Sequence, residues 1–389
     1  MITKIMNATV TELKNALLDG ELTSVQLVNV LAYRCYTIGR KYEITAAEMF
    51  TEGLKVAQEK DKEREEARKN GTLEDLPLLH GIPISVKDVM MIKGVISTAG
   101  CASLANWRPK EDALLVKHLR EQGAIIIVRG NVPQNVMMMH SASFWGNSKN
   151  PYDVERSCSG SSGGDAALVA ARCVPLAVGT DIGGSLRSPA NFCGVTTLKP
   201  TQQRLTRMGG FVMGKRKGFN ASMPLTGVAG ALTRSVDDLV LFHQAVWNKD
   251  LFEADRSVVP LYFNELMFSQ TQSRALRIGY LDSMISLPAS VSVRRSVNET
   301  VSKLAEAGHT LVKIELSEQF QWGVSDLYFQ FFGAFTFKSV HLIYEKYHEE
   351  PHPFYKPFLA VARSKGVSRR VILLGTWLLG MTRTHRMLS

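Results

Sequence analysis

Two serine-rich loops carry most of the chemistry available to this chain of 389 residues. The first, "SCSGSSGGDAAL", spans residues 157–168, and the second, "GTDIGGSLRSP", spans residues 179–189. Ser161 and Ser185 stand 24 positions apart (185 − 161), and no histidine adjoins either. A serine hydroxyl attacks a carbonyl well only when a nearby base takes its proton. Without histidine the base must be another side chain, and Lys87, at the end of the apolar run "GIPISVKD", is the candidate. Burial disfavours an ammonium and lowers its pKa, and a neutral lysine is a competent base. A pairing of Lys87 with its neighbour Asp88 would explain the lysine equally well in isolation. Taken with the two serine loops, it points to a relay in which Lys87 takes the proton of Ser161 and Ser161 that of Ser185.

The obvious motif nominates a different serine. Residues 160–164 satisfy G-x-S-x-G around Ser162, but a nucleophile elbow needs a hydrophobic strand just before it. Here the polar segment "NSKNPYDVERSC" precedes it. A phosphate-binding loop is excluded because no Gly-Lys-Ser/Thr follows. The second loop has the better setting, since "ALVAARCVPLAVGTD" supplies a helix and then a strand leading into Gly183, Gly184 and Ser185. Two glycines allow a sharp turn that presents consecutive N–H groups to a developing oxyanion, an effect of about 3–4 kcal/mol per donor. The same residues also describe a tight strand-to-helix turn without chemistry.

The elements that must hold these loops follow from periodicity and punctuation. "TVTELKNALLDGELTSVQLVNVLAYRC" has helical spacing broken at Asp19-Gly20, with Thr23 or Ser24 as the cap of a second helix. "ITAAEMFTEGLKVAQEKDKEREEARKNGT" is predicted as one helix ending at Asn70-Gly71. "LHGIPISVKDV" is predicted as a buried strand, and "ALLVKHLREQGAIIIVRGNVP" as a helix, a glycine stop and a strand. "LRIGYL" followed by "SVRRSVNETVSKLAEAGHTLVKIEL" repeats that pattern. Helices and strands alternate throughout, so an α/β layered fold around a mostly parallel sheet is expected. With no tandem repeat or low-complexity linker, one large domain is preferred.

Together "GIPISVKD", "SGSSGGDAALVAA" and "GTDIGGSLRSPANFCGVTTLKPT" resemble the amidase signature family. The resemblance implies a central mixed β-sheet covered on both faces by helices, and hydrolysis of amides through a Ser–cis-Ser–Lys triad and an acyl-enzyme. It implies Lys87 as general base, Ser161 as the bridging serine on a cis peptide and Ser185 as nucleophile. The amides of Ile182, Gly183, Gly184 and Ser185 would form the oxyanion hole. Where the family usually has Gly-Gly before the serine pair, this chain has Ser159-Gly160. "GNVPQNV" and "DLFEADRSVVPLYFNE" are similar to animal fatty acid amide hydrolases, which implies that Val136 lines an acyl-chain site. Methionines 137–139 and Phe144 would then be adaptable apolar wall, or simply a buried segment. By the same resemblance residues 1–75 form a helical segment packed on the core. It likewise implies that residues 76–389 form the amidase signature domain, with its C-terminal part expected to be missing and 351–389 a membrane-facing cap region.

Bulk properties narrow the partners. The composition, 45% hydrophobic and 21% charged, is globular. Five cysteines without C-x-x-C spacing point to free thiols in a reducing compartment. The net charge is +10, and residues 351–389 contain lysines and arginines but no acidic residue. In that tail "VILLGTWLLGM", residues 371–381, is too short to span a bilayer and suits an interfacial element with basic anchors. A solvated surface helix explains the tail as well. Nucleic acid is not expected, because no binding module accompanies the charge. No apolar run follows the N-terminal lysines, so no signal peptide is expected, and the protein is placed inside the cell, in the cytoplasm or at a membrane surface. No metal or organic cofactor is needed; the partners expected are an amide or lipid amide substrate, with a membrane surface and a second copy of the chain left open. Against these stand a broad small-amide or ester hydrolase, an inactive truncated binding protein and an amidotransferase subunit.

Overall fold

The short apolar runs become the middle of a sheet because strands buried on both faces need no polar alternation. The computed structural model describes residues 1–210, 226–285, 288–332 and 350–351. Its main sheet contains β1 (Thr45–Glu48), β2 (Pro83–Val86), β3 (Ile125–Gly130), β4 (Leu176–Asp181), β5 (Thr196–Thr197) and β6 (Val228–Thr233). The spatial order is β1-β3-β2-β4-β6-β5. β2 runs parallel to β3 and β4, and the remaining pairs are antiparallel. The sheet is therefore mixed, with a parallel centre.

The helices needed below are α1 (Val10–Leu18), α2 (Ser24–Arg34), α3 (Phe50–Asn70), α4 (Leu114–Glu121), α5 (Gly163–Ala170) and α6 (Arg187–Cys193). Alternation along β3 shows how the two faces are covered. A Cβ on Gly53 of α3 would press on Ile125 and Ile127, whereas a Cβ on Gly130 would run into Asp165 of α5. Odd-numbered and even-numbered side chains of a strand point to opposite faces, so α3 covers one face of the sheet and α5 the other. Thr23 begins α2 with a reciprocal cap to Gln26, and Gly71 ends α3 in the left-handed region at φ +71°. Ile5, Leu13, Leu17 and Leu27 from the N-terminal segment join Ile84, Ile127 and Val178 in one core.

One feature differs from expectation. The start of the long predicted helix is the edge strand β1, followed by α3 from Phe50. Its four residues, "TAAE", carry no β-branched pattern beyond Thr45; pairing with β3, across a register shift, decides their conformation over local propensity. The chain forms two compact units, one built on Met1–Phe263 and one beginning at Asn264. The second holds the parallel strands β7 (Arg277–Tyr280) and β8 (Thr310–Lys313), joined through the helix α7 (Val291–Glu306). The basic tail lies outside the described residues beyond Pro351, and no helix among the described residues is long and apolar enough to cross a membrane.

Candidate active site

Ligands in parallel α/β sheets bind at the carboxyl ends of the strands, and the residues singled out above gather there. Lys87 follows β2 directly, its amide donating to the Val178 carbonyl of β4 at 2.9 Å. Its side chain is fully buried. The ammonium nitrogen lies 2.8 Å from Ser161 Oγ, 3.0 Å from Thr180 Oγ1 and 3.4 Å from the Thr180 carbonyl. Burial lowers its pKa to about 7, against the pull of Asp165 and Asp181, which favour the charged form. Lys87 does not pair with Asp88; that carboxylate belongs to Arg129, 3.2 Å away, and to the amide and hydroxyl of Thr98.

Ser161 sits at the mouth of α5, buried, after a cis Gly160–Ser161 peptide. The loop must pack tightly to bring it there. A Cβ on Gly160 would strike the Met138 carbonyl and come within 3.0 Å of the His140 amide, and one on Gly164 would strike the Asn131 backbone. Ser159, where the family has glycine, takes φ +63° and so adopts the left-handed conformation with a side chain attached. Two hydrogen bonds from Ser141, 3.1 Å and 2.9 Å long, hold its carbonyl. Ser162, the serine of the textual motif, is buried; its hydroxyl donates to the Thr180 carbonyl at 3.2 Å and its amide to the Ser185 carbonyl at 3.1 Å. It ties the two loops together.

Ser185 is half-buried in the turn between β4 and α6. Asp181 organises that turn from below. One carboxylate oxygen accepts from the Gly184 amide at 2.8 Å, the other from the Leu186 amide at 3.0 Å, and the Arg187 guanidinium reaches both at 3.0 Å. Burial works against the charge of Asp181, but Arg187 and the loop amides outweigh it and hold the carboxyl below its usual range. Of the four amides nominated for an oxyanion, that of Gly184 therefore points into the loop. Ile182 and Gly183 flank it, half-buried and exposed respectively. Among the described residues no hydrogen bond joins the Ser161 and Ser185 hydroxyls.

Because Asp181 receives donors on both oxygens, Asp181→Asn should misplace the loop that carries Ser185. An amide nitrogen facing N–H donors leaves buried groups unpaired, at about 1–3 kcal/mol. Thermal unfolding at neutral pH should show that loss. As the folded pKa is depressed, the contribution of Asp181 is present above the unfolded carboxylate pKa and fades as pH falls through the folded value, so the two proteins should converge in acid. Equal stability at neutral pH would rule this bracing out.

Sequence reasoning missed the buried charges around Lys87. Arg129, fully buried on β3, donates to the carbonyls of Lys87 at 3.1 Å, Met90 at 2.6 Å and Ile96 at 3.0 Å, fixing the turn after β2. Asp165 on α5 accepts from Ser85 Oγ at 2.7 Å. The signal was present in "SVKD" and "SGGD", but charges inside apolar stretches read as surface until their partners are placed. Val136 is half-buried with φ +59°, unusual for a β-branched residue, beside fully buried Asn135 at φ +57°. Met139 and Phe144 are exposed and Met137 and Met138 half-buried, so this segment is not simple core. His140 bonds Ser157 Oγ at 2.6 Å, and His80 and His243 bond backbone carbonyls.

Comparison with known proteins places the chain in a family. The family model described as Amidase matches residues 26–372. Fatty-acid amide hydrolase 1 of Sus scrofa is 37% identical over 238 residues, covering 60% of this chain and 40% of that protein. Acetamidase of Emericella nidulans is 32% identical over 315 residues, covering 79% of this chain and 55% of that protein. A solved structure titled fatty acid amide hydrolase superposes with a TM-score of 0.70 at 30% identity, over 81% of this chain and 53% of that one. The chain thus spans about half the length of these relatives. With a family model matched along most of its length and a solved relative superposing over 81% of it, the chain belongs to the amidase family, the amidase signature enzymes that its loops resemble.

Proposed function

We propose that the protein is a serine amidohydrolase that cleaves carboxylic amides, fatty acid amides above all, through an acyl-enzyme. The observation that carries the reading is the 2.8 Å contact between Lys87 Nζ and Ser161 Oγ, in a buried setting that lowers the lysine's pKa to about 7 and so makes a neutral base available in the neutral range. Ser185 Oγ attacks the amide carbonyl while its proton passes to Ser161 Oγ and the Ser161 proton to neutral Lys87. The reverse transfer protonates the leaving amine as the C–N bond breaks. Water, deprotonated along the same path, then releases the acid and frees Ser185. Binding of substrate would close the Ser185–Ser161 link, since catalytic hydrogen bonds often tighten only in the complex. With the Gly184 amide given to Asp181, the amides of Ile182, Gly183 and Ser185 are left to receive the oxyanion.

A long acyl chain is favoured by the likeness to fatty-acid amide hydrolase 1 and by the apolar segment Val136–Met139, of which Val136 is the proposed contact. The basic apolar tail supports action at a membrane surface. Three buried methylenes at about 0.8 kcal/mol each would already give a preference near fiftyfold. A long-chain primary fatty amide should therefore exceed acetamide in kcat/KM by at least about that factor. The likeness to acetamidase favours the second reading, a small-amide hydrolase, and an equal or reversed preference would establish it.

A further inference from the structure

We propose that Asp165 is a positioning residue for the base: its buried carboxylate is the counter-charge that governs how readily Lys87 gives and takes the relay's proton. This deepens the reading above and rests on it for its catalytic meaning. Ser85 and Lys87 are two residues apart and so project to the same face of the sheet, the face that α5 covers. Ser85 Oγ donates to Asp165 Oδ1 at 2.7 Å, while Lys87 Nζ meets Ser161 at the start of the same helix. Asp165 is fully buried, and its Oδ2 has no hydrogen-bond partner among the described residues. Gly130 leaves just enough room for it, since a Cβ there would collide with the carboxyl carbon and Oδ1.

The other charges that face this cluster are matched elsewhere. On β3, Arg129 pairs with Asp88, which follows β2. On β4, Asp181 pairs with Arg187 of α6. Cys158, at the end of the segment before the serine loop, is a neutral thiol, because burial pushes its pKa well up. β6 contributes no titratable side chain. What remains is one lysine and one carboxylate, each desolvated and each favouring the charged form of the other. Burial raises the pKa of Asp165 as it lowers that of Lys87, and the charge of each pulls the other back toward its ionised form.

The carboxylate's presence holds a proton on Lys87; removing its charge should free the neutral base at lower pH. The test is NMR titration of the full chain carrying 13Cε-labelled lysine, with the Lys87 resonance assigned by its loss in Lys87→Met. Asp165→Asn keeps an acceptor for Ser85 and should move the Lys87 midpoint down by about one pH unit. Ser85→Ala removes the donor that stabilises the carboxylate and should move it the same way by less. An unmoved midpoint in folded Asp165→Asn, or in Ser85→Ala should Asp165→Asn fail to fold, overturns the proposal. A merely structural Asp165 would alter stability without moving that midpoint. The titration needs no substrate, so a protein with the expected shift but no hydrolysis would sink the proposed function alone, and hydrolysis without the shift would sink this inference alone.

Discussion

Ser185→Ala is expected to remove amide hydrolysis by a thousandfold or more while leaving the fold intact, as loss of a nucleophile does in other serine hydrolases. The separation of the two effects follows from the contacts. The Ser185 backbone carbonyl, which accepts from Ser162, survives the substitution, and Asp181 braces the turn through Gly184, Leu186 and Arg187. No hydrogen bond from the Ser185 hydroxyl to another described residue would be lost, so stability should change by less than about 1 kcal/mol. Side-by-side rates and melting curves of wild type and variant check both halves. Near-normal hydrolysis by the alanine variant would remove Ser185 from the mechanism.

Lys87→Met should also abolish hydrolysis, and its effect on stability should depend on pH. The lysine is buried, and its folded pKa of about 7 lies well below the value of about 10.4 for a free lysine. A folded state that binds fewer protons than the unfolded state gains stability with rising pH. The penalty is absent above about pH 10.4, grows as pH falls toward 7, and is constant below, reaching about 5 kcal/mol at most. Methionine has a similar length and no charge to desolvate. The melting temperature of wild type relative to the variant should therefore rise as pH is raised from 7 toward 10, on top of the loss of the lysine's bonds to Ser161 and Thr180 and of its charge opposite Asp165. For the wild type the same shift places the acid limb of activity near pH 7, with a plateau above it. A rate independent of pH from about 6 to 10 would exclude lysine as base, as would a methionine variant that keeps its activity.

Much of this site could be read from residue types because its chemistry is local: a lysine ending an apolar strand and two glycine-serine turns. The helices around it were marked by their own punctuation, such as Thr23 before α2 and Gly71 after α3. What escaped were features defined by distant partners. β1 is a strand only because β3 lies beside it, and alone its "TAAE" favours a helix. Asp88 adjoins Lys87 in sequence, yet Arg129, 41 positions on (129 − 88), claims it. The role of Asp181 as a brace required knowing that the turn folds back over its own strand end. Ser159 shows the limit from the other side, for its departure from glycine was visible but its cost, a left-handed serine whose carbonyl Ser141 holds, was not.

The central claim is that a buried lysine activates Ser185 through Ser161, and covalent labelling tests it most directly. The 389-residue protein would be treated with a fluorophosphonate at pH 8, digested, and the adduct located by mass spectrometry, with Lys87→Met treated in parallel. The account predicts one adduct, on Ser185, and none in the lysine variant. An adduct on Ser162, labelling that persists without Lys87, or a folded wild-type protein that takes up no probe would contradict it.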